Sequence, residues 1–306
     1  MKAMIPTSNT QHMVRLAEVP EPQPAPDEAI IGVEAYSVNR GETFQLAAPK
    51  AHWRPGKDVA GRVLRTAADG SGPPEGARVV GHPPSCGWAE RVAVPTSQLA
   101  VLPDGISFAQ AAALPLAGLT AIRLLRTAGP LASRRVLMTG ASGGVGHYLV
   151  ELIAPMGAEL TVVTATPERA QRLLELGASH AVHDVADAQG PFDVLLESVG
   201  GTSFSTALSM IGPHGLAIWF GQAGGVAPTL DFFALFSGPS SGTIRHFDYT
   251  DSDVPDGTDL ATLVRLVDAG RLHPEIGLVA DWMQTAEVLD TLRGRGIRGN
   301  AVLMVG

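Results

Sequence analysis

A glycine-rich segment near the middle of the chain has the residue spacing of a phosphate-binding turn. It lies between a predicted strand, Arg135–Thr139, and a predicted helix, Gly144–Met156, and places Ala141, Gly143 and Gly146 at the three key positions. Glycine at the second position lets the backbone approach a pyrophosphate, and glycine at the third lets the helix pack close to the strand. The helix N-terminus offers free N–H groups to phosphate oxygens. We predict nucleotide binding here, with a plain tight turn as the alternative.

The strand after the turn indicates which nucleotide is bound. Domains that bind NAD usually end this strand with an acidic residue that holds the ribose hydroxyls. Here the predicted strand Leu160–Thr164 ends in Thr164, and Thr166 and Arg169 follow, so hydroxyls and a cation are available for a 2′-phosphate. We therefore predict NADPH. One alternative stays open here: Arg169 is a solvated helix residue.

The two halves of the chain have different patterns. Before Ser107, short β-branched or alternating runs separated by Pro and Gly predict strands. After it, two predicted helices are followed by an alternation of strands and helices, which predicts a parallel sheet covered on both faces. The predicted strands of this second half are Arg135–Thr139, Leu160–Thr164, His180–His183, Phe192–Val199 and Leu216–Phe220. The expected fold class is α/β plus β, with a β-rich domain and a doubly wound domain.

Composition excludes several classes of protein. The chain has 306 residues, of which 45% are hydrophobic and 17% charged, and its net charge is −8. An acidic chain with scattered arginines has no electrostatic footprint for nucleic acid. No apolar run approaches the roughly 18 residues that span a bilayer, and the first residues do not resemble a signal peptide. The single cysteine, Cys86, excludes an internal disulfide and a Cys-rich zinc motif. We expect a cytoplasmic protein with a small-molecule substrate, no nucleic acid partner and no membrane.

A series of motifs in fixed order covers nearly the whole chain. Besides the glycine-rich turn, they are Ser37–Glu42, Pro55–Val63, Gly87–Glu90, Leu99–Gly105 and Ala113–Ala121. Together they resemble the medium-chain dehydrogenase/reductase superfamily, and specifically its zinc-free quinone oxidoreductase-like branch. The resemblance implies a GroES-like β-barrel catalytic domain at 1–112 and 272–306. It also implies a Rossmann domain, a doubly wound parallel sheet, at 113–271, and a homodimer.

The same resemblance implies a set of site residues. Asn39 matches a position near nicotinamide and substrate, although an Asn there is alternatively an Asx-turn residue. Relatives often carry a Tyr shortly after this motif as a possible proton donor; here Lys50 or His52 takes that role, or both are surface residues. By the same resemblance, Asp184 stands where many quinone reductases have a Tyr that contacts the 2′-phosphate, and its charge would repel that phosphate. The remaining cofactor-binding residues by resemblance are Thr120, Ser142, Gly143, Gly144, Val145, Ser198, Val199, Gly200, Phe220, Gly221 and Gln222.

The zinc-binding branch of the superfamily provides a test for a metal. Matching the motifs puts Asn39 and Lys57 at two of its ligand positions, Leu116 or Ala117 at the third, and Asp58 at a nearby Glu. A catalytic zinc needs three S, N or O ligands from the protein. Asn, Lys and Leu do not supply them, so we expect no metal.

The missing metal limits the chemistry. A plain ketone needs a Lewis acid or a proton donor on the developing alkoxide. The Tyr–Lys pair of short-chain dehydrogenases is also lacking, because Tyr36, Tyr148 and Tyr249 are each followed four residues later by another residue type. A quinone or an enone spreads the charge onto an oxygen that solvent can protonate. We therefore expect NADPH-dependent reduction of a quinone or an activated C=C (enone or enoyl) substrate. The alternative is an NADPH-binding sensor or interaction protein with little turnover.

Overall fold

The computed structural model describes residues 1–7, 9, 12–236 and 239–306, with Ala234 described by its backbone alone. The strands are β1 (Lys2–Pro6), β2 (Val14–Glu18), β3 (Glu28–Val38), β4 (Val59–Arg65), β5 (Arg78–Gly81), β6 (Arg91–Pro95), β7 (Leu99–Val101), β8 (Arg135–Met138), β9 (Glu159–Val163), β10 (His180–Val182), β11 (Phe192–Glu197), β12 (Ile211–Trp219), β13 (Thr243–His246), β14 (Ile276–Asp281) and β15 (Asn300–Met304). The α-helices are α1 (Arg40–Ala47), α2 (Phe108–Ala112), α3 (Pro115–Ala128), α4 (Gly144–Ile153), α5 (Pro167–Glu175), α6 (Gly201–Ser209), α7 (Asp256–Asp268) and α8 (Thr285–Arg293).

The described residues form two compact units, Met1–Leu119 with Asp253–Gly306, and Thr120–Ser252. In the first unit, one sheet has the strand order β14-β15-β3-β4-β5-β7, with β6 paired to β3, and β1 pairs with β2. All of these pairs are antiparallel except β14 with β15. The C-terminal strand returns to this sheet, with Ala301 opposite Val38. This unit has the GroES-like β fold that the sequence predicted.

The second unit is a Rossmann domain. Its described strands form a parallel sheet in the order β10-β9-β8-β11-β12-β13. In the central strand β8, the side chains of Val136, Leu137 and Met138 are fully buried, as expected for a parallel strand with helices over both faces. The predicted doubly wound sheet is therefore confirmed, and β13, which the sequence did not predict, extends it at one edge.

The limits of the two units differ from the ranges expected from the sequence. Helix α7 falls in the range 113–271 assigned to the Rossmann domain, but it lies in the first compact unit. It approaches β7 closely, because a Cβ at Gly257 would lie 2.5 Å from the Leu99 carbonyl oxygen. The expected domain ranges, 1–112 with 272–306 and 113–271, stay a prediction. Within the described residues, no helix combines the length and the apolar character needed to cross a membrane.

Candidate active site

The glycine-rich turn links the end of β8 to the start of α4. Gly140 has a left-handed backbone with φ of +64°, which glycine adopts without steric cost. A Cβ at Gly146 would lie 2.1 Å from the Ala141 carbonyl oxygen, so the first turn of α4 packs directly on the chain that leaves β8. Gly143 is the N-cap and is exposed. Ser142, Gly143, Gly144 and Val145 thus present a helix N-terminus of the kind that binds phosphate.

Three residues predicted to face a 2′-phosphate follow β9. Arg169, on α5, donates from Nη1 to the Ser142 hydroxyl at 3.5 Å, so its guanidinium lies beside the glycine-rich turn. Thr166 is the N-cap of α5. The Thr164 side chain is buried, and its hydroxyl oxygen has no hydrogen-bond partner among the described residues. A hydroxyl and a guanidinium beside a helix N-terminus suit a phosphate, which accepts charge-assisted hydrogen bonds.

Asp184, which the sequence placed as a possible source of repulsion, follows β10. Its carboxylate accepts a hydrogen bond from the Ala186 backbone N–H at 2.9 Å and caps a short turn. The neighbouring His183 ring contacts the Thr164 carbonyl oxygen at 3.0 Å. The acidic group is therefore engaged with the local backbone.

The loops after β11 and β12 meet beside the same turn. The Ser198 hydroxyl donates to the Thr139 carbonyl oxygen at 3.1 Å, which joins the loop after β11 to the end of β8. The Ala223 N–H donates to the Ser198 carbonyl oxygen at 2.8 Å, which joins it to the loop after β12. The structure thus brings together the predicted residues Ser198, Val199, Gly200, Phe220, Gly221 and Gln222 at the carboxyl ends of the strands, where open α/β sheets bind ligands. Thr120 lies on α3 with its side chain buried.

A buried carboxylate, Glu197, supports the loop after β11. It accepts backbone hydrogen bonds from Val199 at 3.0 Å and Gly200 at 3.1 Å, and one from the Thr139 hydroxyl at 3.1 Å. Burial raises the pKa of Glu197, and the hydrogen bonds from Gly200, Val199 and Thr139 oppose that rise. The carboxylate also lies at the N-terminus of α6, where a negative charge is stabilised by the helix dipole.

In the first unit, polar side chains converge on Asp58. Its carboxylate is 1% exposed. One oxygen, Oδ2, accepts from the Ser37 hydroxyl at 2.5 Å and from Nδ2 of Asn39 at 2.7 Å. The other oxygen, Oδ1, accepts from the Leu116 backbone N–H at 2.9 Å and lies 3.2 Å from Nδ1 of His82. We call these five residues the Asp58 cluster. Asn39, the predicted catalytic residue, is therefore held by a carboxylate at the N-cap of α1.

A second buried carboxyl, Glu42, lies next to the Asp58 cluster. Its oxygens accept from the backbone N–H of Gly56 at 2.9 Å and of Asn39 at 3.1 Å. Burial raises the pKa of Glu42 to about 8, and the negative charge of Asp58 contributes to the rise. Lys50 and His52, the predicted proton donors, lie in the segment after α1 and are both exposed. Among the described residues, neither side chain hydrogen-bonds to Asn39.

Comparison with known proteins covers both units. A family model described as zinc-binding dehydrogenase matches residues 144–262. The quinone oxidoreductase of Pseudomonas aeruginosa is 27% identical over 301 residues, which is 92% of each chain. The tomato (Solanum lycopersicum) 2-methylene-furan-3-one reductase is 36% identical over 160 residues, which is 48% of this chain and 41% of that protein. The crystal structure of Escherichia coli quinone oxidoreductase complexed with NADPH superposes with a TM-score of 0.90 at 21% identity and covers all of both chains. In sequence and in fold, the chain is similar to the medium-chain dehydrogenase/reductase superfamily and to its quinone oxidoreductase-like branch.

The donor set of this chain does not fit the zinc that the description of the matched family implies. The matched segment, 144–262, leaves out the Asp58 cluster altogether. At two of the positions matched to zinc ligands, Asn39 and Leu116 point N–H groups at the Asp58 carboxylate, whereas a zinc ligand must offer an electron pair. The described residues contain no group of three or more His, Cys, Asp or Glu side chains placed to bind a metal ion.

The sequence does not predict a role for three buried polar residues, Asp58, His82 and Glu197. The motifs match Asp58 to a family position without a role, and they do not include His82 or Glu197. Asp58 directly precedes β4 and Glu197 is the last residue of β11, and both side chains are buried. An acidic residue at such a boundary is a usable signal, because burying a carboxylate without hydrogen-bond partners is costly. His82 directly follows β5, but its own position gives no such signal.

Proposed function

We propose that this chain is a zinc-independent, NADPH-dependent oxidoreductase that transfers hydride to a quinone or to an activated C=C of an enone or enoyl substrate. The observation that carries the proposal is the glycine-rich turn at the start of α4, with the Arg169 guanidinium 3.5 Å from the Ser142 hydroxyl. This arrangement offers a helix N-terminus to a pyrophosphate and a cation beside it to a further phosphate.

The cofactor would be held by residues along the edge of the Rossmann sheet. Ser142, Gly143, Gly144 and Val145 would bind the pyrophosphate, and Thr164, Thr166 and Arg169 the 2′-phosphate. The loops after β11 and β12, with Ser198, Val199, Gly200, Phe220, Gly221 and Gln222, would support the nicotinamide ribose, together with Thr120 and Asn39. When bound, NADPH supplies the hydride. The similarity to the Escherichia coli protein, which was crystallised with NADPH, supports this choice of cofactor.

The acceptor class follows from what the site offers. A conjugated acceptor mainly needs positioning against the nicotinamide, because the developing charge spreads to an oxygen that solvent can protonate. Asn39 would position the acceptor, and the exposed Lys50 or His52 would deliver the proton. The quinone oxidoreductase and the furanone reductase among the relatives support a quinone and an enone, respectively. Zinc independence rests on the N–H donors that surround Asp58.

We further propose that the protein is a cytoplasmic homodimer. Strand β13 is the edge of the Rossmann sheet in the described residues, and its four residues are exposed. Three exposed phenylalanines, Phe232, Phe233 and Phe236, precede it. A bare strand edge beside exposed apolar side chains favours pairing with a second copy. Light scattering should give twice the chain mass, and Phe233→Ser with Phe236→Ser should give a monomer; a monomeric native protein would contradict the dimer. Cell fractionation tests the location.

The experiment that tests the activity uses chelator-treated protein. We expect NADPH oxidation that depends on an added ortho-quinone or 2-enone, is faster than with NADH, and is unchanged when zinc is restored. Turnover that needs zinc would contradict zinc independence. Tight NADPH binding without turnover of either acceptor would contradict the enzymatic role and favour a sensor.

A further inference from the structure

The Asp58 carboxylate joins segments that are far apart in the sequence. Ser37 and Asn39 lie at the end of β3, His82 follows β5, and Leu116 lies in the first turn of α3. All four approach one side chain within hydrogen-bond distance, at 2.5 to 3.2 Å. Because Asp58 is almost fully buried, the low local dielectric strengthens these hydrogen bonds, and losing the acceptor would leave several donors unsatisfied.

The contact also fixes the orientation of the Asn39 amide. An ionised carboxylate only accepts hydrogen bonds, so the amide nitrogen, and not the amide oxygen, must face Oδ2 of Asp58 at 2.7 Å. Ser37 shares the same carboxylate oxygen at 2.5 Å, which limits the room for Asn39 to change its side-chain rotamer.

We propose that Asp58 is a positioning residue, whose carboxylate holds the Asn39 amide in the orientation that the reaction requires. In the zinc-binding branch a metal binds the residues at the matched positions. In this chain the Asp58 carboxylate accepts hydrogen bonds from two of those positions, Asn39 and Leu116. The inference rests on the proposed function, because it assigns to Asn39 a contact with the substrate. Asp58 itself acts through Asn39 and is not assigned a contact with substrate or cofactor.

The first test compares Asp58→Asn with Asp104→Asn in the full-length protein. The Asp104 side chain is fully exposed, so the control makes the same chemical change outside the cluster. We expect kcat with a quinone or enone to fall by ~100-fold in D58N, since a misplaced group costs about that much. In D58N the dissociation constant for NADPH should change much less than kcat, and D104N should keep the wild-type value of both. Wild-type kcat in D58N would overturn the proposal.

A double-mutant cycle separates positioning from general support of the fold. If Asp58 acts through Asn39, then Asp58→Asn should cost little further kcat in a chain that already carries Asn39→Ala. Losses that multiply would overturn the proposal. If D58N has a lowered melting temperature, Asp58→Glu provides the second test, because it keeps the carboxylate but moves it by one methylene. D58E should lose kcat when it is assayed well below its own melting temperature; wild-type kcat in D58E would overturn the proposal.

The wild type is measured first, so that two failures remain distinct. An inactive wild type counts against the proposed oxidoreductase function. An active wild type with an equally active D58N counts against the role of Asp58 alone.

Discussion

The carboxylate of Glu197 accepts a hydrogen bond from the Thr139 hydroxyl at 3.1 Å, and this contact joins the carboxyl ends of β8 and β11. The same Thr139 hydroxyl accepts from the Ser198 N–H at 3.1 Å. The glycine-rich turn follows β8 and the loop 198–200 follows β11, and we assign cofactor binding to both. The geometry of the glycine-rich turn is therefore linked to that of the loop 198–200 through one buried pair.

Replacing Glu197 with Gln should weaken cofactor binding. The Gln oxygen can take the place of Oε1, which accepts from Val199, Gly200 and Thr139. Its amide nitrogen would then stand at the place of Oε2, 3.1 Å from the Gly200 N–H, donor against donor, at a cost of about 1–3 kcal/mol. We expect the dissociation constant for NADPH, measured by fluorescence titration, to rise ~10-fold. Glu175→Gln, on the half-exposed face of α5, is the matched control and should bind like the wild type. Unchanged affinity in E197Q would show that the carboxylate does not shape the loop.

Arg169→Met should reduce the preference for NADPH. A charge-assisted hydrogen bond to a phosphate contributes about 1.5–3 kcal/mol, so kcat/KM for NADPH should fall by about 10- to 100-fold. The value for NADH should stay the same, because NADH lacks the 2′-phosphate. Arg172→Met removes a cation one turn along the same helix, where Arg172 pairs with Glu175, and should alter neither value. Equal losses with both cofactors in R169M would contradict the assignment of Arg169.

Gly146→Ala should destabilise the Rossmann domain and weaken cofactor binding together. The added Cβ would lie 2.1 Å from the Ala141 carbonyl oxygen, so the backbone must move; such overpacking costs about 1–3 kcal/mol. Thermal unfolding should start at a lower temperature, and the affinity for NADPH should drop. Gly105→Ala is the control, because its Cβ would meet an ordinary contact at 3.8 Å from Asp268. A G146A protein with wild-type melting and binding would rule out the close packing of α4.

Stability should fall as the pH rises from about 5 to about 8, because of Glu42. Its pKa is raised from 4.5 to about 8 in the folded protein. Over that interval the unfolded chain has released the proton while the folded protein keeps it, so the unfolded state gains relative stability. Below about pH 4.5 the folded and the unfolded protein both keep the proton on Glu42, so the contribution of this group to stability is at its maximum. Melting temperature against pH should therefore decline for the wild type and be flatter for Glu42→Gln. Parallel curves for the two proteins would show that Glu42 does not carry the effect.

Local patterns predicted much of the fold and part of the site. The glycine-rich turn was located because strand, turn and helix are consecutive in the sequence, and the structure places Gly140 and Gly146 where only glycine fits. The Asp58 cluster was not predicted, since its donors come from Ser37, His82 and Leu116, which no periodicity connects.

The sequence likewise did not predict which elements pack against one another. Helix α7 was not predicted from the sequence, and an amphipathic pattern does not say which sheet a helix packs against. Strand β13 is short and fully exposed, so it lacks the buried apolar run that identified the other Rossmann strands.

The most direct measurement of the proposed reaction follows where the hydride goes. Chelator-treated protein would be given NADPH deuterated at the transferred position of C4, with a 2-enone and the matching saturated ketone in separate reactions, and the products analysed by mass spectrometry and NMR. We predict one deuteron on the β-carbon of the former enone, an intact carbonyl, and no reaction of the saturated ketone. Deuterium on a carbinol carbon in either reaction would mean that the carbonyl is reduced, and would contradict hydride transfer to an activated C=C.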